Sequence, residues 1–220
     1  MPEPNDRTFR ALIVDYGGVL TTSLIASFGQ FCASVGIQPE TLRALFAGAY
    51  GGSGDGGGFA ELIPALETGR LGLEEFDRRL AKVLSEGLPA PLDPAGLSYR
   101  FFEGVQPEPR MIDAVRRARA SGLKTGLISN TWGEVATGHD LSGLFDAEVR
   151  SGEEGLRKPE PEIYRLAARR LGVTPGECVF VDDIPANVEG ARAVGMWALL
   201  HRDPAITIPK LGELFGTRLT

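Results

Sequence analysis

Three stretches of the chain are built around unbroken apolar residues: ALIVD (11–15), KTGLIS (124–129) and ECVFVD (177–182). Each is short and ends on a small or acidic polar residue. A strand buried on both faces carries this continuous pattern, whereas a half-exposed strand alternates. Between and after these runs the period changes to that of a helix. Residues 111–122 place Met111, Ile112, Val115 and Ala118 at helical spacing before a stop at Gly122. Residues 159–173 put Ile163, Leu166, Ala167 and Leu171 on one face, with Pro159 near the start and Gly172 near the end. ANVEGARAVGM (186–196) predicts a third helix. Strands alternating with helices predict a doubly wound α/β fold around a parallel sheet.

Residues 21–105 depart from that alternation. LIASFGQFCASVG, PETLRALFAGAY, FAELIPALETG and LEEFDRRLAKVLSEG all carry helical patterns. They predict an all-helical insert at 21–105, after the first strand, within a core of 1–20 and 106–220. Its aromatic residues, among them Phe28, Phe31, Phe46, Tyr50, Phe59 and Phe76, suit a helical core and a substrate pocket equally. The run GGSGDGGG (51–58) lacks the Gly-Lys-Ser/Thr ending of a phosphate loop, and no apolar strand precedes it. It reads as a flexible connection between insert helices.

Composition narrows the function. A hydrophobic fraction of 43% supplies an ordinary globular core. The net charge of −6 argues against non-specific nucleic-acid binding, while a local cationic site can still hold a small anion. Cys32 and Cys178 are too few for a disulfide framework and read as buried thiols. No apolar run approaches the roughly 20 residues that span a bilayer, and MPEPNDRTFR has no secretion signal. The expectation is a cytoplasmic monomer or homodimer with no membrane partner.

In open α/β sheets, ligands bind beyond the carboxyl ends of the strands. Asp15 lies at the first such end, Ser129, Asn130 and Thr131 at the second, and Asp182 and Asp183 at the third; Lys158 comes from the loop GLRKPEP. Together they offer a carboxylate nucleophile, hydrogen-bond donors and an ammonium. Carboxylate attack on a phosphate dianion is opposed by like charge, which a divalent cation offsets. Hard Mg²⁺ takes oxygen ligands such as Asp15, Asp182 and a Gly17 carbonyl. Gly17 and Gly18, lacking Cβ, let the loop turn its N–H groups toward phosphate. Each residue has a plainer reading: Asp15 in a turn, Ser129-Asn130 as a cap, Lys158 on the surface, Asp182-Asp183 as a cap. Asn187 reads as helix-start chemistry or as a supporting partner, and Trp132 as an entrance residue or a packing residue. Tyr16 is expected to point away from the site, Arg157 to be solvated, and His139 and His201 to be ordinary loop residues.

DYGGVLT, LISNT, RKPEPEIY and VFVDDIPANVEGARAVGM, in that order, resemble the four signature motifs of the haloacid dehalogenase superfamily. The resemblance covers nearly the whole chain. It is nearest to the phosphatase domain of soluble epoxide hydrolases and to bacterial sugar-phosphate phosphatases. It implies a Rossmann-like core with a helical cap over the active site that selects substrate. It further implies Asp15 as nucleophile, Ser129 and Lys158 on phosphate, and Asp182 with Asp183 on Mg²⁺. The expected substrate is a small phosphorylated metabolite. Phosphatases of this kind carry a second aspartate two residues after the nucleophile, as a general acid and base. Here that position is Gly17. A phosphatase with an altered acid–base arrangement is therefore expected. The alternatives are a phospho-ligand or partner-binding protein without turnover, and a 2-haloacid dehalogenase. The latter needs no metal, so the Asp182-Asp183 pair speaks against it.

Overall fold

A computed structural model of the chain describes residues 8–47, 61–86, 88–133 and 141–219. The run 51–58, Tyr50, Phe59 and His139 lie outside the described residues, as does the side chain of Phe46. Five parallel strands form one sheet in the order β3-β2-β1-β4-β5. They are β1 (Ala11–Val14), β2 (Lys124–Ser129), β3 (Ala147–Arg150), β4 (Cys178–Asp182) and β5 (Trp197–Leu200). β1 is central and pairs with β2 on one side and β4 on the other, Val14 lying level with Leu127 and with Val181. The three strands expected from the apolar runs are therefore neighbours, and their carboxyl ends meet.

The continuous apolar runs have a direct cause. Along β1, Leu12 and Val14 enter one hydrophobic cluster, and Ala11 and Ile13 enter the opposite one. β4 divides likewise, Val179 and Val181 from Cys178 and Phe180. Both faces are covered, so no position can be polar without a buried partner. Helices α6 (Pro109–Ala120) and α10 (Pro204–Phe215) supply one cover, and α8 (Pro161–Leu171) and α9 (Pro185–Ala193) the other. Glu108 caps α6 by accepting from the Arg110 N–H, and Pro109 stands in its first turn.

Between β1 and α6 the described residues contain helices only: α1 (Leu24–Val35), α2 (Pro39–Ala47), α3 (Leu62–Glu67), α4 (Leu73–Leu84) and α5 (Leu97–Phe102). They share a hydrophobic cluster of their own, including Phe31, Phe76, Leu80 and Phe101. The chain leaves and returns along a paired seam. Thr22 N–H donates to Gln106 O at 2.8 Å, and Glu108 N–H to Leu20 O at 2.8 Å. Trp132, from the loop after β2, joins the insert's cluster, its ring centroid 5.0 Å from Phe76 and 5.4 Å from Phe102. No described helix is long and apolar enough to cross a membrane.

Candidate active site

The site forms where β1, β2 and β4 end. Lys158, only 1% exposed, is the hub. Its Nζ donates to Asp15 Oδ1 at 2.6 Å, Asp182 Oδ2 at 2.7 Å and the Ile128 carbonyl at 3.0 Å. The surface-lysine reading is thereby excluded. Burial pulls the ammonium toward neutrality, but Asp15 and Asp182 outweigh it and hold its pKa above the ordinary lysine value. Asp15 sits one residue beyond β1, its N–H donating to Val181 O at 2.9 Å. Burial, with Asp182 and Asp183 nearby, pushes its pKa up to about 8 against the opposing pull of Lys158. Burial and Asp182 likewise raise Asp183 to about 6.

Asp182 is fully buried and heavily engaged. Besides Lys158 it accepts from Ile184 N–H at 2.8 Å and from Asn187 Nδ2 at 3.0 and 3.1 Å. Asn187 is thus a supporting partner on the first turn of α9. One oxygen each from Asp15, Asp182 and Asp183 lie within 4.8 Å of one another. The single charge of Lys158 offsets only part of the repulsion among three carboxylates this close, and hard oxygen donors suit Mg²⁺ for the rest. The donor set fits a divalent cation, with the Asp182 side chain already committed to Lys158, Ile184 and Asn187, and Asp183 less so.

Gly18 has a strict requirement: its φ is +72°, and a Cβ there would stand 2.2 Å from Asp183 Oδ2. Its N–H donates to Thr21 Oγ1 at 3.1 Å, so that donor is taken within the turn. At Gly17 a Cβ would come 2.9 Å from Leu24 Cδ1, at the start of α1. Leu24 thus fills the space into which a side chain at position 17 would extend. Ser129 and Asn130, both expected to bind phosphate, line the cavity. The Asn130 side chain, however, is committed elsewhere: its amide donates to Glu67 Oε2 and to Lys158 O, both at 3.1 Å, and its carbonyl accepts Lys158 N–H at 2.9 Å. It supports the lysine's backbone.

Three further expectations change. Arg157 is buried, its Nε donating to Glu67 Oε2 at 2.7 Å, because a fully buried carboxylate from the insert needs a counter-charge. His201 is loop but buried, its N–H on Asp182 O and its Nδ1 2.8 Å from Thr207 Oγ1. Tyr16 packs on the core and also lines the cavity. The residue that sequence reasoning missed is Glu67. In ALETG it looks like any charge at a helix end.

The cavity above the carboxylates measures about 1810 Å³ and lies between sheet and insert. Leu24, Phe28, Leu71, Leu73 and Phe102 face it from the insert, with Trp132 from the core. Trp132 therefore both packs and lines the cavity.

A parallel sheet with an aspartate, a lysine and an acidic pair at its carboxyl edge, under a helical insert, defines a class of hydrolase. A family model described as haloacid dehalogenase-like hydrolase matches residues 9–195, and the chain belongs to that family. Sesquiterpene phosphatase astK of Aspergillus oryzae is 31% identical over 214 residues, 95% of this chain and 98% of that protein. Acyl-CoA dehydrogenase family member 10 of mouse is 29% identical over 215 residues, covering 96% of this chain; the chain spans only 19% of that relative's length. Among solved structures, a HAD-like family hydrolase from Porphyromonas gingivalis superposes with a TM-score of 0.70 at 24% identity, covering 94% of this chain and 98% of that one.

Proposed function

We propose that the chain is a Mg²⁺-dependent phosphatase acting on a small phosphorylated metabolite through an aspartyl-phosphate at Asp15. The observation that carries this is the placement of Lys158 Nζ between Asp15 and Asp182 at the carboxyl end of the sheet. The ammonium holds the nucleophile in place and offsets phosphate charge. Mg²⁺, held by Asp15, Asp183 and Asp182 with the Gly17 carbonyl, would supply charge neutralisation for the approach of carboxylate to phosphate dianion. An Asp15 oxygen bonds to phosphorus as the ester P–O bond breaks, and the leaving oxygen takes a proton from water. A second water then attacks phosphorus, releasing inorganic phosphate and restoring the Asp15 carboxylate. Ser129, on the cavity wall, would donate to a phosphate oxygen.

The helical segment 21–105 acts as the cap that chooses the substrate. Its apolar wall suits a phosphate ester with a substantial hydrocarbon part, in keeping with the sesquiterpene phosphatase similarity. Phosphate release from sugar, nucleotide, acyl, aryl and prenyl phosphates, with and without Mg²⁺, tests the proposal. Release that requires Mg²⁺ and is lost in Asp15→Asn supports it. Release that persists in Asp15→Asn, or that is absent from every ester, sinks it.

A further inference from the structure

We infer that Glu67, at the end of α3 in the insert, is a positioning residue for Lys158. The inference rests on the phosphatase reading above and adds a part to it. Glu67 is completely buried and reaches the residues that set the lysine from two directions. Its Oε2 accepts from Arg157 Nε at 2.7 Å, and Arg157 is the residue immediately before Lys158. The same oxygen accepts from Asn130 Nδ2 at 3.1 Å. Asn130 in turn clasps the Lys158 backbone, accepting from its N–H and donating to its carbonyl. A single carboxylate oxygen of the insert thus fixes the residue before the lysine and the side chain that holds the lysine's own peptide.

The backbone at this point is anchored as well. Ser151 Oγ, at the start of α7 (Ser151–Glu154), donates to Glu67 O at 2.5 Å and accepts from Thr131 N–H at 2.8 Å. Two residues on, Gly69 has a φ of +71°, and a Cβ there would stand 2.8 Å from Gly152 O. The insert meets the core closely here, beside the strand end that carries Ser129. Seating of α3 and registration of Lys158 against Asp15 are therefore one arrangement. Displacing α3 withdraws the Glu67 acceptor from both Arg157 and Asn130. A displacement of the catalytic ammonium by about 1 Å is enough to lower turnover by up to roughly 100-fold.

The test separates positioning from stability. Glu67→Gln alone leaves Arg157 buried without its counter-charge, so the variants are made in pairs. Glu67→Met with Arg157→Met replaces the ion pair by apolar groups of similar length and removes the acceptor for Asn130. Glu67→Gln with Arg157→Met keeps an acceptor for Asn130. With p-nitrophenyl phosphate and Mg²⁺, the first pair is expected to fold, to raise KM by up to about tenfold and to lose about 10- to 100-fold in kcat. The second pair is expected to recover most of that loss. Equal kcat for both pairs and the wild type overturns the inference while leaving the phosphatase intact. If the wild type releases no phosphate from any ester, the phosphatase reading fails by itself. Calorimetry with inorganic phosphate then decides the inference, which expects about tenfold weaker binding in the first pair than in the second. Equal affinities, or no phosphate binding by the wild type, overturn it.

Discussion

The two glycines after Asp15 do different work. Gly18 is held by backbone and by space together: a left-handed φ that L side chains rarely adopt, and a carboxylate where a Cβ would be. Gly18→Ala is expected to push Asp183 out of the acidic cluster, weakening Mg²⁺ affinity at least tenfold by calorimetry and lowering activity with it. Unchanged affinity would mean that Asp183 is no ligand. Gly17 is held by neither constraint so firmly, because the nearest obstacle is the tip of Leu24, a flexible side chain that can rotate. Gly17→Asp is therefore expected to fold and to add the missing acid. The gain belongs where the leaving alcohol needs a proton: about 10²-fold in kcat on alkyl phosphates. On p-nitrophenyl phosphate, whose leaving group is already stable as an anion, kcat should move less than about threefold. Equal gains on both esters would show that the introduced carboxylate acts on something other than leaving-group protonation, such as charge at the metal cluster.

At the scale of elements, what the sequence revealed follows burial. β1, β2 and β4 are central and covered on both faces, so their apolar runs were legible. β3 is an edge strand whose AEVR alternates with charged residues and carries no apolar run, while WALL in β5 is as apolar as ALIV but follows directly on the helical pattern of 186–196 and ends on no small or acidic polar residue. The helix α10 was hidden by its internal Pro209, and the short α5 by the prolines at 89, 91 and 94 that precede it. Asp15, Lys158 and the acidic pair were legible because each ends an apolar strand or sits in a distinctive loop. Glu67, Arg157 and the true partners of Asn130 were not, because a contact between positions 67 and 157 leaves no local pattern. Gly190, inside α9, is another such long-range constraint. A Cβ there would stand 2.6 Å from Pro159 O and 3.0 Å from the Tyr164 hydroxyl. Alanine gains roughly 0.5–1 kcal/mol in helix propensity. Overpacking against the backbone beside Lys158 costs about 1–3 kcal/mol and wins. Gly190→Ala should thus lower Tm by a few degrees, about 2–4 °C per kcal/mol for a chain of this size. A rise in Tm would show that α8 and α9 separate more easily than their contact suggests.

For the whole molecule, the insert's core and the sheet's cores meet at the site, so their stability should depend on its charge. In metal-free protein Asp15 titrates near 8 and Asp183 near 6, both above the ordinary 3.8. A carboxyl whose folded pKa is raised contributes stability that is full below its unfolded pKa and lost as pH rises through the folded value. Stability should fall from about pH 4 to pH 8. Lys158, also raised, contributes fully below the ordinary lysine value of 10.5 and does not act in this window. His201 works in the opposite sense: burial lowers its pKa from 6.5, so its contribution is present above that value and lost as pH falls. Each pKa unit is worth about 1.4 kcal/mol, and the two carboxyls act together over this window against one histidine. Between pH 5 and 8 in a chelator, Tm is expected to drop by at least about 4 °C. If the ionised carboxylates hold Mg²⁺, as proposed, the cation should raise Tm more at pH 8 than at pH 5. Asp15→Asn, which removes the largest of these titrations, should flatten the chelator profile and shrink the difference made by Mg²⁺. A wild-type Tm that is level or rising across the same range would mean that Lys158 keeps Asp15 ionised without metal. The ammonium alone would then prepare the nucleophile, and the cation would act on the phosphate.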